Sequence, residues 1–139
     1  MIRTRLALGM LALACASACN AIAPLEAAQN THPPKAIPDQ EPEVTAQVKE
    51  LLKQYAAEGI GADRLTTKAG MALAQPEAKA RQAALRDWGA LSALELLERK
   101  TFGEDRLYRY RARFAARTAL LDISFNKGGR VDTLVIASE

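Results

Sequence analysis

The 139-residue chain predicts an α+β fold: N-terminal helices packed on a curved antiparallel sheet of about four strands, carried behind an export signal and a proline-rich tether. Three observations predict it. Apolar residues between positions 44 and 88 recur at spacings of three and four, as on one face of a helix. Those between positions 106 and 136 alternate, as on one face of a sheet. Pro42, Gly59, Pro76, Gly89 and Gly128-Gly129 fall between these segments, where a chain must turn or restart.

Arg3 and Arg5 lead into an apolar run from Leu6 to Ala14, and Ala16-Ser17-Ala18 stands before Cys19, the order of parts in a bacterial export signal. The run is too short for a permanent membrane helix, which needs about 20 apolar residues. Ala16-Ser17-Ala18-Cys19 resembles the lipobox of bacterial lipoproteins, which implies lipidation of Cys19 and anchoring to a membrane by more than one acyl chain. Two alternatives stay open: processing at Cys15, behind Ala12-Leu13-Ala14, and plain cleavage after Ala18, since Ala-Ser-Ala also fits a signal peptidase site. The expected organisation is a signal peptide over 1–18, a tether over 19–42 and one domain over 43–139.

Both cysteines precede position 20, so the domain has neither a disulfide nor a cysteine metal site to rely on. Nor does the sequence imply a cofactor. Lys and Arg exceed Asp and Glu by 19 − 16 = 3, and loss of Arg3 and Arg5 with the signal leaves 17 − 16 = 1. That near-balance disfavours nucleic acid as a partner, because such binders carry a larger basic excess. Pro24, Pro33, Pro34, Pro38 and Pro42 punctuate the tether, which reads as extended or disordered. The one histidine, His32, lies in it and reads as solvated, so a histidine triad inside the domain is excluded.

Val44, Val48, Leu51, Leu52 and Tyr55 form the stripe of the first helix, with Pro42 at its start and Gly59 at its stop. A second helix is expected from about Asp63, as N-cap, to Ala74, with Leu65, Ala69, Ala72 and Leu73 on one side. Pro76 suits the first turn of a third, with Ala80, Ala84, Leu85 and Trp88 on one face before Gly89. Residues 90–100 have helical propensity, but Gly89 and the short Gly103-Glu104-Asp105 connection favour a strand over 93–101. Tyr108, Tyr110, Ala112 and Phe114 alternate with Arg109, Arg111 and Arg113 in the next strand, and Ala119, Leu121, Ile123 and Phe125 face one way in the strand over 117–126. Asn126-Lys127-Gly128-Gly129 is a hairpin turn into a last strand over 130–137.

Trp88-Gly89-Ala90-Leu91-Ser92, the Tyr-rich strand with Phe114, the strand around Leu121 and Gly129-Arg130-Val131-Asp132-Thr133-Leu134 together resemble the small module that follows the catalytic domain in many bacterial penicillin-recognising serine hydrolases. The similarity spans roughly Val44 to Ile136. It implies the cone of the nuclear-transport-factor-2-like and cystatin-like folds, and it implies no reaction. No hydrolase domain is expected to precede the module here.

Ser124-Phe125-Asn126-Lys127 matches the S-x-x-K string of those hydrolases, but their Ser and Lys lie one helical turn apart. On a strand that spacing sends the side chains to opposite faces, so the match is coincidental. The inward face offers Trp88, Tyr108, Tyr110, Phe114 and Phe125 as walls of a small-ligand pocket, with phenols as the titratable groups. Arg109, Arg111 and Arg113 should form an outward row able to hold an acidic envelope component or an envelope protein, unless Glu95, Glu98 and Asp122 neutralise it. The expectation is therefore a membrane-tethered envelope module that binds, with a carrier of an apolar ligand second and a cofactor-independent enzyme of the same fold last. A filled core would favour a scaffold, and a cavity between helices and sheet a carrier.

Overall fold

The computed structural model describes residues 33–139. The expected signal peptide, Cys15, Cys19, His32 and the first part of the tether lie outside the described residues.

Three helices, α1 (Pro42–Ala57), α2 (Thr67–Leu73) and α3 (Pro76–Asp87), precede four strands, β1 (Leu91–Phe102), β2 (Asp105–Phe114), β3 (Thr118–Phe125) and β4 (Val131–Ser138). The strands pair antiparallel in chain order, β1-β2-β3-β4. The helices pack with this sheet to make an α+β fold, and residues 93–101 are strand, as Gly89 and the following turn predicted.

Register follows from alternation, because one face of the sheet must be buried. Tyr108 stands opposite Ile123, Tyr110 opposite Leu121 and Ala112 opposite Ala119. With Val44, Val48, Leu51, Leu52 and Tyr55 of α1, Leu85 of α3 and Val131 and Ile136 of β4, they form the core. In the hairpin Asn126–Arg130, Gly129 adopts φ +75°, and the Asn126 side-chain oxygen accepts from Arg130 N at 2.9 Å.

The second helix begins later than the sequence suggested. Residues Ala62–Arg64 make a single 3₁₀ turn, and Thr66, not Asp63, caps α2, its Oγ1 accepting from Ala69 N at 3.1 Å. Leu65 stays extended because it reaches the core beside β4, where it forms a parallel bridge with Val131. Thr66 N then donates to Val131 O at 2.9 Å and Thr66 Oγ1 to Asp132 Oδ1 at 2.9 Å. Ala72, expected inward, is exposed; Ala69 is the buried residue of α2.

The face of α3 is also rotated from the expected one. Leu85 is buried, Ala84 and Trp88 are half-buried, and Ala80 points to solvent. The cause is the end of α1, which has no basic residue in its last turn to meet its free carbonyls. α3 supplies the missing donors: Gln82 Nε2 donates to Tyr55 O at 2.8 Å, Arg86 Nε to Ala56 O at 2.8 Å and Arg86 Nη2 to Ala57 O at 2.7 Å.

β1 carries two irregularities, at Leu91/Ala93 and Leu96/Glu98. The second inserts Leu97 as an extra residue. Beyond it, Glu98 stands opposite Arg109 on the outer face and Arg99 opposite Tyr108 on the core side, the reverse of simple alternation from Leu96. Leu97 is 7% exposed, yet lies outside the main core.

Residues 33–41, which composition placed in the tether, stay largely exposed but are tied to the fold by hydrogen bonds. Ile37 N donates to Leu96 O at 2.8 Å, on the edge of β1, and Arg111 Nη2 donates to Pro34 O at 3.0 Å. Asp39 accepts from Glu41 N at 3.0 Å and from Thr45 Oγ1 at 2.6 Å, which fixes the approach to α1. Pro33 and the residues after it thus belong to the same unit as the helices and sheet, through Glu139.

Candidate functional site

The five predicted pocket residues do not converge on one cavity. Tyr108, Tyr110 and Phe125 are 1%, 0% and 2% exposed, so their rings leave no surface for a ligand to touch. Tyr108 meets Phe125 edge-on at 6.1 Å and stacks on Tyr110 at 6.2 Å. Their hydroxyls are satisfied: Tyr110 shares a hydrogen bond of 3.0 Å with Thr45 Oγ1, and Tyr108 donates to Glu41 Oε2 at 3.1 Å. Glu41 also forms ion pairs with Arg99 and, at 3.8 Å, with Arg106. Burial pushes the Tyr110 phenol up to about 12, against the opposing effect of the hydrogen bond it shares with Thr45. Burial likewise raises the Tyr108 phenol. Such groups move away from the neutral range that acid–base catalysis needs.

Trp88 and Phe114 lie together elsewhere, with ring centroids 5.5 Å apart at the junction of α3 and β1. The Arg117 guanidinium sits 5.3 Å over the Trp88 ring, a cation–π contact. This corner is knotted by backbone bonds from Ala115 N to Ala90 O at 3.1 Å and from Ala116 N to Trp88 O at 2.9 Å. It requires glycine at 89: φ is +81°, and a Cβ there would come within 2.8 Å of Ala115 Cβ.

Beside that corner opens an apolar groove of about 370 Å³. Leu52, Ala56 and Ala57 of α1 form one wall, and Gly89, Ala90, Leu91 and Phe114 the other. Lys53 and Arg86 are its charged lining residues. The space exists because small residues meet there, Ala56-Ala57 facing Gly89-Ala90. Of the residues predicted from sequence to line a pocket, Phe114 does so. The others were missed, and the facing pairs of small residues at the ends of two elements were the available signal.

The predicted arginine row is on the outer face, but it is neutralised. Arg109 holds Asp122 with two bonds, Nε to Oδ1 at 2.6 Å and Nη2 to Oδ2 at 2.9 Å, and lies 3.8 Å from Glu98. Arg113 pairs with Glu95 at 3.0 Å. Arg111 is 12% exposed in its side chain and joins Glu95 at 3.3 Å, Glu139 at 3.0 Å and the Pro34 carbonyl. Cross-strand pairs, Arg109 opposite Asp122 and Arg111 opposite Glu95, bring these charges together. Glu95, Glu98 and Asp122 are thus the neutralising partners the sequence named, and the row is an ion-pair lattice rather than a free basic surface.

The S-x-x-K residues are separate. Ser124 faces Thr133 within the sheet, and Lys127 on the hairpin pairs with Glu104 at 2.9 Å. Asp132, in the bulge between β3 and β4, takes Lys68 at 3.1 Å, and the bonds from Lys68 and then Thr66 lower its carboxyl below the usual range. Among the described residues, no cluster of three or more His, Cys, Asp or Glu side chains is placed to hold a metal, and no helix is long and apolar enough to cross a membrane.

Comparison with known protein families, curated proteins and solved structures finds no match.

Proposed function

We propose that this protein is a lipid-anchored, non-enzymatic accessory or binding module of the bacterial cell envelope. The observation that carries the non-enzymatic part is the filled space between helices and sheet, where Tyr108, Tyr110 and Phe125 pack ring on ring and the phenol of Tyr110 is pushed up to about 12. A group that holds its proton so far above neutrality is a core residue with a satisfied hydroxyl, poorly suited to transfer a proton. The envelope part rests on the apolar run before Ala16-Ser17-Ala18-Cys19. Helices packed against a four-strand meander, with strand irregularities that bend β1 and β4, support the nuclear-transport-factor-2-like cone as the finer description of the fold.

Membrane fractionation with metabolic acyl labelling tests the anchor. The wild-type protein is expected in the membrane fraction with label, and Cys19→Ala in the soluble envelope fraction without it. An unlabelled, soluble wild-type protein would refute lipid anchoring.

A carrier is the second reading. The groove between Ala56-Ala57 and Gly89-Ala90 favours it, at a different place from the filled interior.

A further inference from the structure

We infer that the groove at the α1–β1 corner binds a single-chain anionic amphiphile, a long-chain carboxylate, with the hydrocarbon against Ala56, Leu91 and Phe114 and the carboxylate at Lys53 and Arg86. This deepens the carrier reading and rests on it. Three features of the site point to that class. Its volume, about 370 Å³, is that of a small-ligand site and too small for a folded partner. Its walls are hydrocarbon: two leucines, a phenylalanine edge and four positions occupied by Ala or Gly, with no acidic side chain lining it. Its charged lining residues are both cations, so an apolar body with one negative end is complementary and one with a positive end is not.

The two cations differ in freedom. Arg86 spends Nε and Nη2 on the Ala56 and Ala57 carbonyls, leaving Nη1 outside both bonds, and it offsets the negative end of the α1 dipole that would otherwise repel an anion. Lys53 is exposed and held by Glu50 at 3.0 Å in a surface pair that solvent screens and a ligand carboxylate can replace. The groove floor is rigid at the same time. Gly89 has no room for a Cβ against Ala115, and the backbone bonds of residues 88–91 with 114–117 hold the corner open without a ligand.

Trp88, the one tryptophan of the chain, rests on Phe114 and so reports on the groove. Dodecanoate titrated into the purified protein below its micelle concentration is expected to change Trp88 emission saturably, while dodecyltrimethylammonium of equal chain length binds at least about tenfold more weakly. Ala90→Phe, which fills an exposed position in the wall, should abolish the dodecanoate response with the far-ultraviolet circular dichroism unchanged. Lys53→Gln should weaken it about fivefold, the scale of one solvent-exposed charge. Ala57→Phe on the opposite wall repeats the blocking test if Ala90→Phe fails to fold. No saturable change, an equal response to the cationic amphiphile, or undiminished binding by both blocking variants would overturn the site. Vesicles of anionic phospholipid form a separate arm: binding to them that survives the blocking variants, without binding of free dodecanoate, also overturns it, as surface adsorption. Fractionation of the Cys19→Ala variant reports on anchoring alone, so failure of the groove and failure of the tether read out separately.

Discussion

Tyr110 carries the heaviest constraint of any single side chain here, since it is fully buried, keeps its proton and meets Thr45 across the helix–sheet boundary at 3.0 Å. Its pKa is raised from 10.0 to about 12, so folding favours the protonated phenol. The stabilisation is complete below pH 10 and is lost as pH climbs from 10 toward 12, by about 1.4 kcal/mol for each pH unit from this group. Alkaline unfolding followed by circular dichroism should therefore be steep in the wild type and shallower in Tyr110→Phe. At neutral pH the same substitution should cost about 1 kcal/mol, because Thr45 Oγ1 keeps its bond to Asp39. Equal alkaline limbs in the two proteins would contradict the buried phenol. The alternation of 108, 110, 112 and 114 made this residue's inward direction legible in the sequence. It did not show whether the face lined a cavity or filled one, because that depends on how closely α1 approaches, which alternation does not encode.

At the scale of elements, strands were more legible than helix details. A sheet with one buried face has a period of two that any register slip destroys, so the pattern in β2 and β3 survives intact. Leu97 shows where this stops. Leu94-Glu95-Leu96-Leu97-Glu98 contains no Gly or Pro to mark an irregularity, and the extra residue is visible only through its pairing with β2. Deleting Leu97 would leave Leu96 opposite Tyr110 and Glu98 opposite Arg109, so every side chain keeps its face and only the irregularity goes. The deletion variant should therefore still unfold cooperatively, while Leu97→Ala, which keeps the irregularity, should cost about 1–3 kcal/mol. A deletion variant with no cooperative thermal transition would show that β1 needs the extra residue to reach both ends of its pairing with β2. Helix starts failed for a related reason. Asp63 and Thr66 are both good N-caps by type, and the choice fell to Thr66 because Leu65 had to reach the core and Asp132 lay within reach of the threonine hydroxyl.

Across the whole molecule, the outer face works as a lattice. Charge balance was legible from composition, and the possibility of neutralisation from Glu95, Glu98 and Asp122, but Glu139 and the Pro34 carbonyl as partners were not, since both come from far along the chain. Arg111 has the most partners in the row and the least exposure, while Arg113 is half open to solvent with one carboxylate. Arg111→Gln should lower stability by about 1–3 kcal/mol in urea unfolding, and Arg113→Gln by less than about 1 kcal/mol. Similar midpoints for the two would show that the contacts of Arg111 are as weak as an ordinary surface pair. Glu139 adds a backbone bond, its N donating to Thr118 O at 3.3 Å.

Arg111 therefore grips a residue near each limit of the described fold, Pro34 on one side and Glu139 on the other. Pro34 and the Glu139 side chain lie within reach of one guanidinium, so positions 34 and 139 are neighbours in space. A few added residues would bridge position 139 to position 33, and cutting at the exposed Gly103-Glu104 turn would give a circular permutant that begins with β2 and ends with β1 while every strand keeps its neighbour.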